Sequence, residues 1–371
     1  MAINNQIKTI NEAGQSIWYD NLSRDVLRSG KLKELIEQGV SGLTSNPSIF
    51  EQAISGSSEY DSDFNELKDK NLNTEELCEE LMINDVAKAA DLLIDTYNKT
   101  NGDDGYASLE VSPFLADDTE GTVEAAKRLW SKLNRPNIMI KIPATEAGIP
   151  AIEEVLTLGI NVNVTLIFSV KSYLDVVKAY LNALENRIKN NQPIDKIASV
   201  ASFFVSRVDA ISEKKLSELV DNGKIDSEKF NQFLGKVGIA NSRLAYAEFE
   251  KNFSNSFDQL KSKKAKVQRP LWASTSTKNP DFNELLYVES LAGADTVNTL
   301  PPKTLEALIN SDSIKGNLKE DFEKAPTLIS ELNELIPFEE LLIQLQEAGV
   351  NSFAESYKNL LVSIEEKVKS I

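Results

Sequence analysis

Three ionisable side chains stand inside short apolar runs, where chains seldom place them. Lys141 lies within NIMIKIP (137–143), Asp20 ends QSIWYD (15–20) and Glu110 sits in YASLEVS (106–112). A lysine enclosed by neighbours is penalised for its ammonium charge, which favours the neutral, nucleophilic amine. Carboxylates at equivalent strand ends could move protons for it. A structural ion pair between Lys141 and Glu110 across the interior, or a lysine snorkelling out of the rim, uses the same residues without chemistry.

What the chain lacks narrows the choice. It contains no histidine and one cysteine, Cys78. Ser-His-Asp and Cys-His nucleophile systems, imidazole acid-base catalysis, His-ligated metals and thiolate clusters are thereby excluded, as is an internal disulfide. Asp20 and Glu110 could hold Mg²⁺, but metal sites in this setting usually recruit three or more oxygen ligands, so no metal and no cofactor is expected.

Composition describes an ordinary globular chain of 371 residues, 41% hydrophobic and 26% charged, with a formal net charge of −17. That charge repels nucleic acid and anionic membranes over most of the surface, so a phosphorylated substrate needs a local basic pocket. The start, MAINNQIKTINEAGQS, has no basic region followed by an apolar run, and no long apolar stretch follows. A cytoplasmic protein is expected.

The elements that position these residues form an alternating pattern. Eight runs read as strands: 15–20, 39–45, 106–112, 137–143, 161–168, 197–206, 269–275 and 294–300. Amphipathic stretches separate them, the signature of a parallel sheet, and eight is the number that closes an α/β barrel. Helix starts are marked by Asn46-Pro47, Ser169, Asn279-Pro280 and Pro302. The spacers 47–104 and 207–266 are long enough for extra helices. Residues 316–371, broken at Pro326 and Pro337, predict C-terminal helices packed outside the barrel. One domain over 1–371 is expected, with its barrel core at about 15–305 and C-terminal helices from about 306.

Alternation along each strand assigns faces. Ile138, Ile140 and Ile142 suit the helix layer, leaving Asn137, Met139 and Lys141 inside. By the same parity Ser108, Glu110 and Ser112 oppose Ala107, Leu109 and Val111. Asn161, Asn163 and Thr165 oppose Val162, Val164 and Leu166, and Ser202, Phe204 and Ser206 oppose Ala201, Phe203 and Val205. The ionisable members fall toward the C-terminal ends, where barrel active sites form.

Seven segments then carry a resemblance: WYDNLSR (18–24), GVSGLTSNPSIF (39–50), SLEVSPFLADDTEGT (108–122), MIKIPAT (139–145), GINVNVTLIFS (159–169), ASFFVSRVD (201–209) and LWASTSTKNP (271–280). In this order they closely resemble the transaldolases over roughly residues 15–305, and the added C-terminal helices resemble the longer bacterial branch. The resemblance implies a Schiff-base (β/α)₈ barrel of the pentose phosphate pathway. Such enzymes move a dihydroxyacetone unit from sedoheptulose 7-phosphate or fructose 6-phosphate to glyceraldehyde 3-phosphate or erythrose 4-phosphate. It implies Lys141 as the imine-forming lysine, Asp20 as the acid/base on the donor's C4 hydroxyl, and Glu110 acting through a water that Thr165 helps to hold. Asn46 and Asn163 match groups that bind the dihydroxyacetone hydroxyls, with Ser202 and Phe204 lining the same site. Arg207 matches the phosphate-binding arginine, supported by Ser274.

The better known branch has a second phosphate arginine in a Ser-Phe-Arg context, whereas this chain reads Ser274-Thr275-Ser276-Thr277-Lys278. Lys278 or Ser276 is expected in that role. The oligomeric state, monomer or homodimer, does not carry over. Ordinary readings stand beside these: Asn46 as a helix cap, Ser202 and Thr165 satisfying backbone groups, and Arg207 in a surface ion pair. Trp18, Trp130 and Trp272, with Tyr173 and Tyr180, are expected to pack, and the acidic run DFNELKDKNLNTEEL to be a solvated helix face. Two other functions fit the pattern, a Schiff-base fructose-6-phosphate aldolase and a non-catalytic sugar-phosphate-binding barrel.

Overall fold

Runs of β-branched and small residues bounded by turn formers become strands because their side chains pack on both faces of a buried parallel sheet. In the computed structural model, which describes residues 3–55, 57–67 and 70–370, there are eight of them. They are β1 (Gln15–Asp20), β2 (Gly42–Thr44), β3 (Ala107–Glu110), β4 (Ile138–Pro143), β5 (Val162–Ile167), β6 (Ser199–Phe204), β7 (Arg269–Ala273) and β8 (Thr296–Leu300). All pair in parallel in chain order, and β8 closes on β1 to give a (β/α)₈ barrel. Each strand lies inside its expected run. Met1, Ala2 and the Lys68-Asp69 step of the acidic run lie outside the described residues.

Asn137, expected inside, lies just ahead of β4 and instead donates to the Ala90 carbonyl of the outer helix Thr74–Lys99 at 2.8 Å. Within the strands themselves the parity is as expected with one exception. Ile138, Ile140 and Ile142 join the outer core with Ala107, Leu109, Val111, Ala201, Phe203 and Val205. Met139, Val200 and Phe204 group instead with Trp18, Leu271 and Val297. Gly42 makes room for the Trp18 indole, since a Cβ there would lie 2.4 Å from the ring. The exception is Leu166, expected on the helix side. The pairing of β5 with β6 shifts register between Val164 and Ile167, and Leu166 adopts φ +58°. This irregularity turns Leu166 over and hands the outer position to Ile167.

Helix starts follow the expected signals at three of four places. Asn46 caps Pro47–Ile54 through Ile49 N–H, Ser169 caps Val170–Lys189 through Ser172 N–H, and Pro302 opens Pro302–Asn310. Asn279-Pro280 does not open a helix. Asn279 and Asn283 each accept from the backbone N–H two residues on, making Asx turns, and the helix waits until Leu286. The spacers do carry extra helices, including Thr74–Lys99 in the first and Ser227–Phe233 and Val237–Asn252 in the second.

The C-terminal region departs most from expectation. Ala325–Leu335 packs outside, against Val237–Asn252, but the 33-residue helix Phe338–Ser370 lies across the barrel mouth. Gln346 of this helix donates through Nε2 to the carbonyls of Ala144 and Leu166 at 2.8 and 3.0 Å, at the ends of β4 and β5. Ser356 and Ser363 pair with Ser48 and Ser55 of Pro47–Ile54 at 2.7 and 2.8 Å, and Lys367 binds Asp61 at 2.9 Å. An amphipathic pattern announces a buried face but not what covers it.

Within the acidic run, Asp63 is not simply solvated, because it accepts from the buried guanidinium of Arg24. Arg24 also binds Asp85 at 2.6 Å, and Asp85 accepts from Tyr60 at 2.8 Å. This cluster ties the segment after β1 to Thr74–Lys99. Trp18, Trp272, Tyr173 and Tyr180 are fully buried and Trp130 packs partly buried, as expected. Among the described residues no helix is long and apolar enough to cross a membrane.

Candidate active site

Barrel geometry brings the C-terminal strand ends to one rim, and there a cavity of about 190 Å³ opens. Asp20, Lys141, Thr165, Ser202 and Phe204 line it from the strands, and Asn46, Arg207, Ser274, Ser276 and Lys278 from the loops and helix starts that follow. Ten of the twelve expected residues therefore share one wall. Glu110 and Asn163 stand directly behind it.

Lys141 is buried and donates to Glu110 Oε2 at 2.9 Å and to the Ser45 carbonyl at 3.2 Å. Glu110 and Lys141 are register partners on β3 and β4, so the pair forms between adjacent strands and not across the interior. An ammonium has three donor positions, and two are used here. The ring of Phe353 stands 5.3 Å from Nζ. Burial raises the Glu110 carboxyl above its ordinary range, the Lys141 charge opposes that, and Asp20 adds to it.

Asp20 ends β1 beside Thr44, its register partner on β2. Thr44 Oγ1 is 2.6 Å from Asp20 Oδ1 and 2.6 Å from Thr299 Oγ1. A hydroxyl has one proton to give, so Thr44 donates to the carboxylate and accepts from Thr299. Burial raises the Asp20 carboxyl, with the Thr44 hydrogen bond and the Lys141 charge working the other way. A carboxylate held this way is oriented toward the cavity and binds a proton more readily than an ordinary one.

The residues expected to bind substrate hydroxyls are linked to one another and to the backbone. Asn163 is fully buried and does not line the cavity. It donates to Ser108 Oγ at 3.1 Å and accepts from Ser202 Oγ at 2.7 Å, so it touches the cavity wall only through Ser202. Asn46 is a helix cap and a cavity residue at once. Its Oδ1 accepts from Ile49 N–H at 3.0 Å, which leaves its amide NH₂ for the cavity. Thr165 Oγ1 is buried with no partner within the protein, among the described residues.

At the other end two cations stand together. Among the described residues neither Arg207 nor Lys278 has an acidic partner, which sets aside a surface ion pair for Arg207. Arg207 lies 5.5 Å from the Phe204 ring, and burial lowers its basicity. Lys278 is lowered by burial and by Arg207, and donates to Ser276 Oγ at 3.0 Å. Ser274 holds φ +56° and meets Ser206 Oγ at 2.9 Å, which fixes the turn after β7. Two adjacent cations without an acid, flanked by serine hydroxyls, form an anion site.

The same wall holds Thr44, Thr299, Pro301 and Phe353, which the sequence reading does not name. Parity in β2 and β8 could have found the threonines, because Gly42 and Thr44 share a face, as do Val297 and Thr299. Nothing in the sequence announces Phe353. A further tie lies beneath the Arg207–Lys278 pair: the buried Asp209 accepts from Gly238 N–H and from Tyr287 Oη, both at 2.8 Å, and burial pushes its carboxyl up to about 7.

Comparison with known proteins agrees with this geometry. The family described as transaldolase/fructose-6-phosphate aldolase matches residues 17–364, so the likeness extends past the strands into the helix over the mouth. A protein named Transaldolase 2 from Nostoc punctiforme is 43% identical over 98% of both chains. One named Transaldolase from Trichodesmium erythraeum is 42% identical over 100% of this chain and 99% of its own length. Another, named Transaldolase from Mycolicibacterium smegmatis, is 43% identical over 97% of each. The chain belongs to the transaldolase/fructose-6-phosphate aldolase family and is an enzyme of the transaldolase kind.

Proposed function

We propose that Lys141 is the covalent nucleophile through which this enzyme moves a dihydroxyacetone unit between sugar phosphates, with Asp20, Glu110 and Thr165 as its proton-handling partners. One observation carries the reading: Lys141 Nζ, buried and 2.9 Å from Glu110, opens on the same cavity as Asp20 and the Arg207/Lys278 anion site.

The neutral amine adds to the C2 carbonyl of the donor ketose, and Glu110, with its raised proton affinity, supplies the proton on which the carbinolamine hydroxyl leaves as water. Thr165 Oγ1, without a partner among the described residues, is suited to orient a water that takes part in this step. The protonated imine draws the electrons of the C3–C4 bond while Asp20 accepts the C4 hydroxyl proton. The bond breaks, an aldose phosphate leaves, and an enamine stays on Lys141. Asn46 and the Ser202–Asn163 pair hold its hydroxyls. The acceptor aldehyde then takes the enamine carbon, its oxygen takes the proton from Asp20, and hydrolysis of the imine frees the new ketose phosphate. Arg207 and Lys278, with Ser274 and Ser276, hold the phosphate of both donor and acceptor.

A cytoplasmic setting suits this role, since the substrates are sugar phosphates and the single thiol, Cys78, is buried and pushed up to about 12. The whole chain acts as one barrel domain in this reading, with the C-terminal helix part of the site. Lys141→Ala is the direct test. Turnover with fructose 6-phosphate and erythrose 4-phosphate should disappear, and a variant that keeps a near-normal rate contradicts the covalent step.

A further inference from the structure

β3 and the loop after β2 supply the polar partners of Lys141, but the cover over its amine comes from elsewhere. Phe353, in the C-terminal helix, is buried, lines the cavity and stands 5.3 Å from Lys141 Nζ. The helix that carries it is fastened to the ends of β4 and β5 by Gln346 and to Pro47–Ile54 by Ser356 and Ser363. Leu166, turned over by the irregularity in β5, packs beneath the same helix, where a Cβ on Gly349 would come within 2.9 Å of it. Glu110 reaches the amine from β3 and lines a narrow cleft with Ser45, Asn46 and Pro47. The amine is therefore bonded to a carboxylate from the strands and faced by an aromatic ring from the C-terminal helix.

We infer that Phe353 sets the partition between transfer and release, by keeping water away from the enamine carbon until an aldehyde acceptor occupies the cavity. The inference rests on the Lys141 reading. After C3–C4 cleavage the three-carbon enamine has two fates. In transfer its carbon bonds to the acceptor's aldehyde carbon, and the new alkoxide takes the proton held by Asp20. In release the same carbon takes that proton through a bridging water, giving the imine of dihydroxyacetone. Both routes end alike, with one water adding to the imine and the C2–N bond breaking to restore the amine. They differ only in what reaches the carbon first. An aromatic ring offers that carbon no proton and displaces the water that would carry one.

The test measures dihydroxyacetone released from fructose 6-phosphate without acceptor, as a ratio to transfer onto erythrose 4-phosphate, in the full-length chain. In Phe353→Ala the ratio should rise about tenfold, while borohydride still traps the adduct on Lys141. Phe353→Leu, which keeps an apolar cover, should rise less. If the alanine variant does not fold, Gln346→Ala loosens the helix with Phe353 in place, and the ratio should rise there too. A ratio within twofold of the parent in the folded variants, even with both rates reduced, overturns the inference. Absence of the Lys141 adduct in the parent protein instead defeats the nucleophile assignment.

Discussion

Asp20 and Glu110 both bind protons more readily than ordinary carboxyls because burial penalises their charge, yet their surroundings assign them different work. Glu110 touches the amine itself, while Asp20 is steered by Thr44 toward the open cavity. Asp20→Ala should therefore slow carbon–carbon cleavage by about 10²–10⁴-fold, the usual worth of a placed base, and leave imine formation intact. Single-turnover release of the aldose phosphate, read beside borohydride trapping, checks this; loss of the adduct itself contradicts the division of roles. At the anion end, Arg207→Ala should raise KM for glyceraldehyde 3-phosphate about 10–100-fold, the loss expected of one charge-assisted contact, with little change for unphosphorylated glyceraldehyde. Equal effects on both acceptors would remove Arg207 from the phosphate site. Residue types and strand parity made most of this wall legible in the sequence. What escaped were contributions that depend on neighbours, such as the Thr44–Thr299 relay behind Asp20.

At the scale of elements, strand order and faces were legible because a buried parallel strand alternates between two different neighbourhoods. The misplacements come from backbone irregularity and from partner choice. Leu166 turned over because the β5–β6 register shifts, and Asn279-Pro280 made Asx turns because Asn side chains bond backbone locally as readily as they cap helices. Asp209 shows how helices are bound together beneath Arg207 and Lys278. It links Ser206–Asp221, which carries Arg207, to Gly238 and Tyr287 in the two elements behind the Lys278 loop. Its folded carboxyl titrates near 7, above its ordinary 3.8, so the folded state holds the proton more tightly. Its contribution to stability is then greatest at low pH and falls as pH rises from about 4 through about 7. Removing the titration with Asp209→Asn should flatten that part of the stability–pH curve. Thermal unfolding of parent and variant across pH 4 to 8 checks the sign, and parallel curves contradict it.

For the whole molecule, a chain with a net charge of −17 needs a local concentration of cations to attract doubly anionic substrates, and in the proposed reading Arg207 and Lys278 at the barrel mouth provide it. The C-terminal helix then closes that mouth, with Phe353 over the amine and Gln346 on the strand ends. The sequence showed that such a helix exists but not where it lands, since its apolar stripe fits many surfaces. The enclosed centre remains Lys141. Borohydride reduction of the parent protein with fructose 6-phosphate, followed by peptide mass mapping, tests it most directly. The three-carbon adduct should fall on Lys141 and be lost in Lys141→Ala; an adduct on another lysine, or none, would contradict the account.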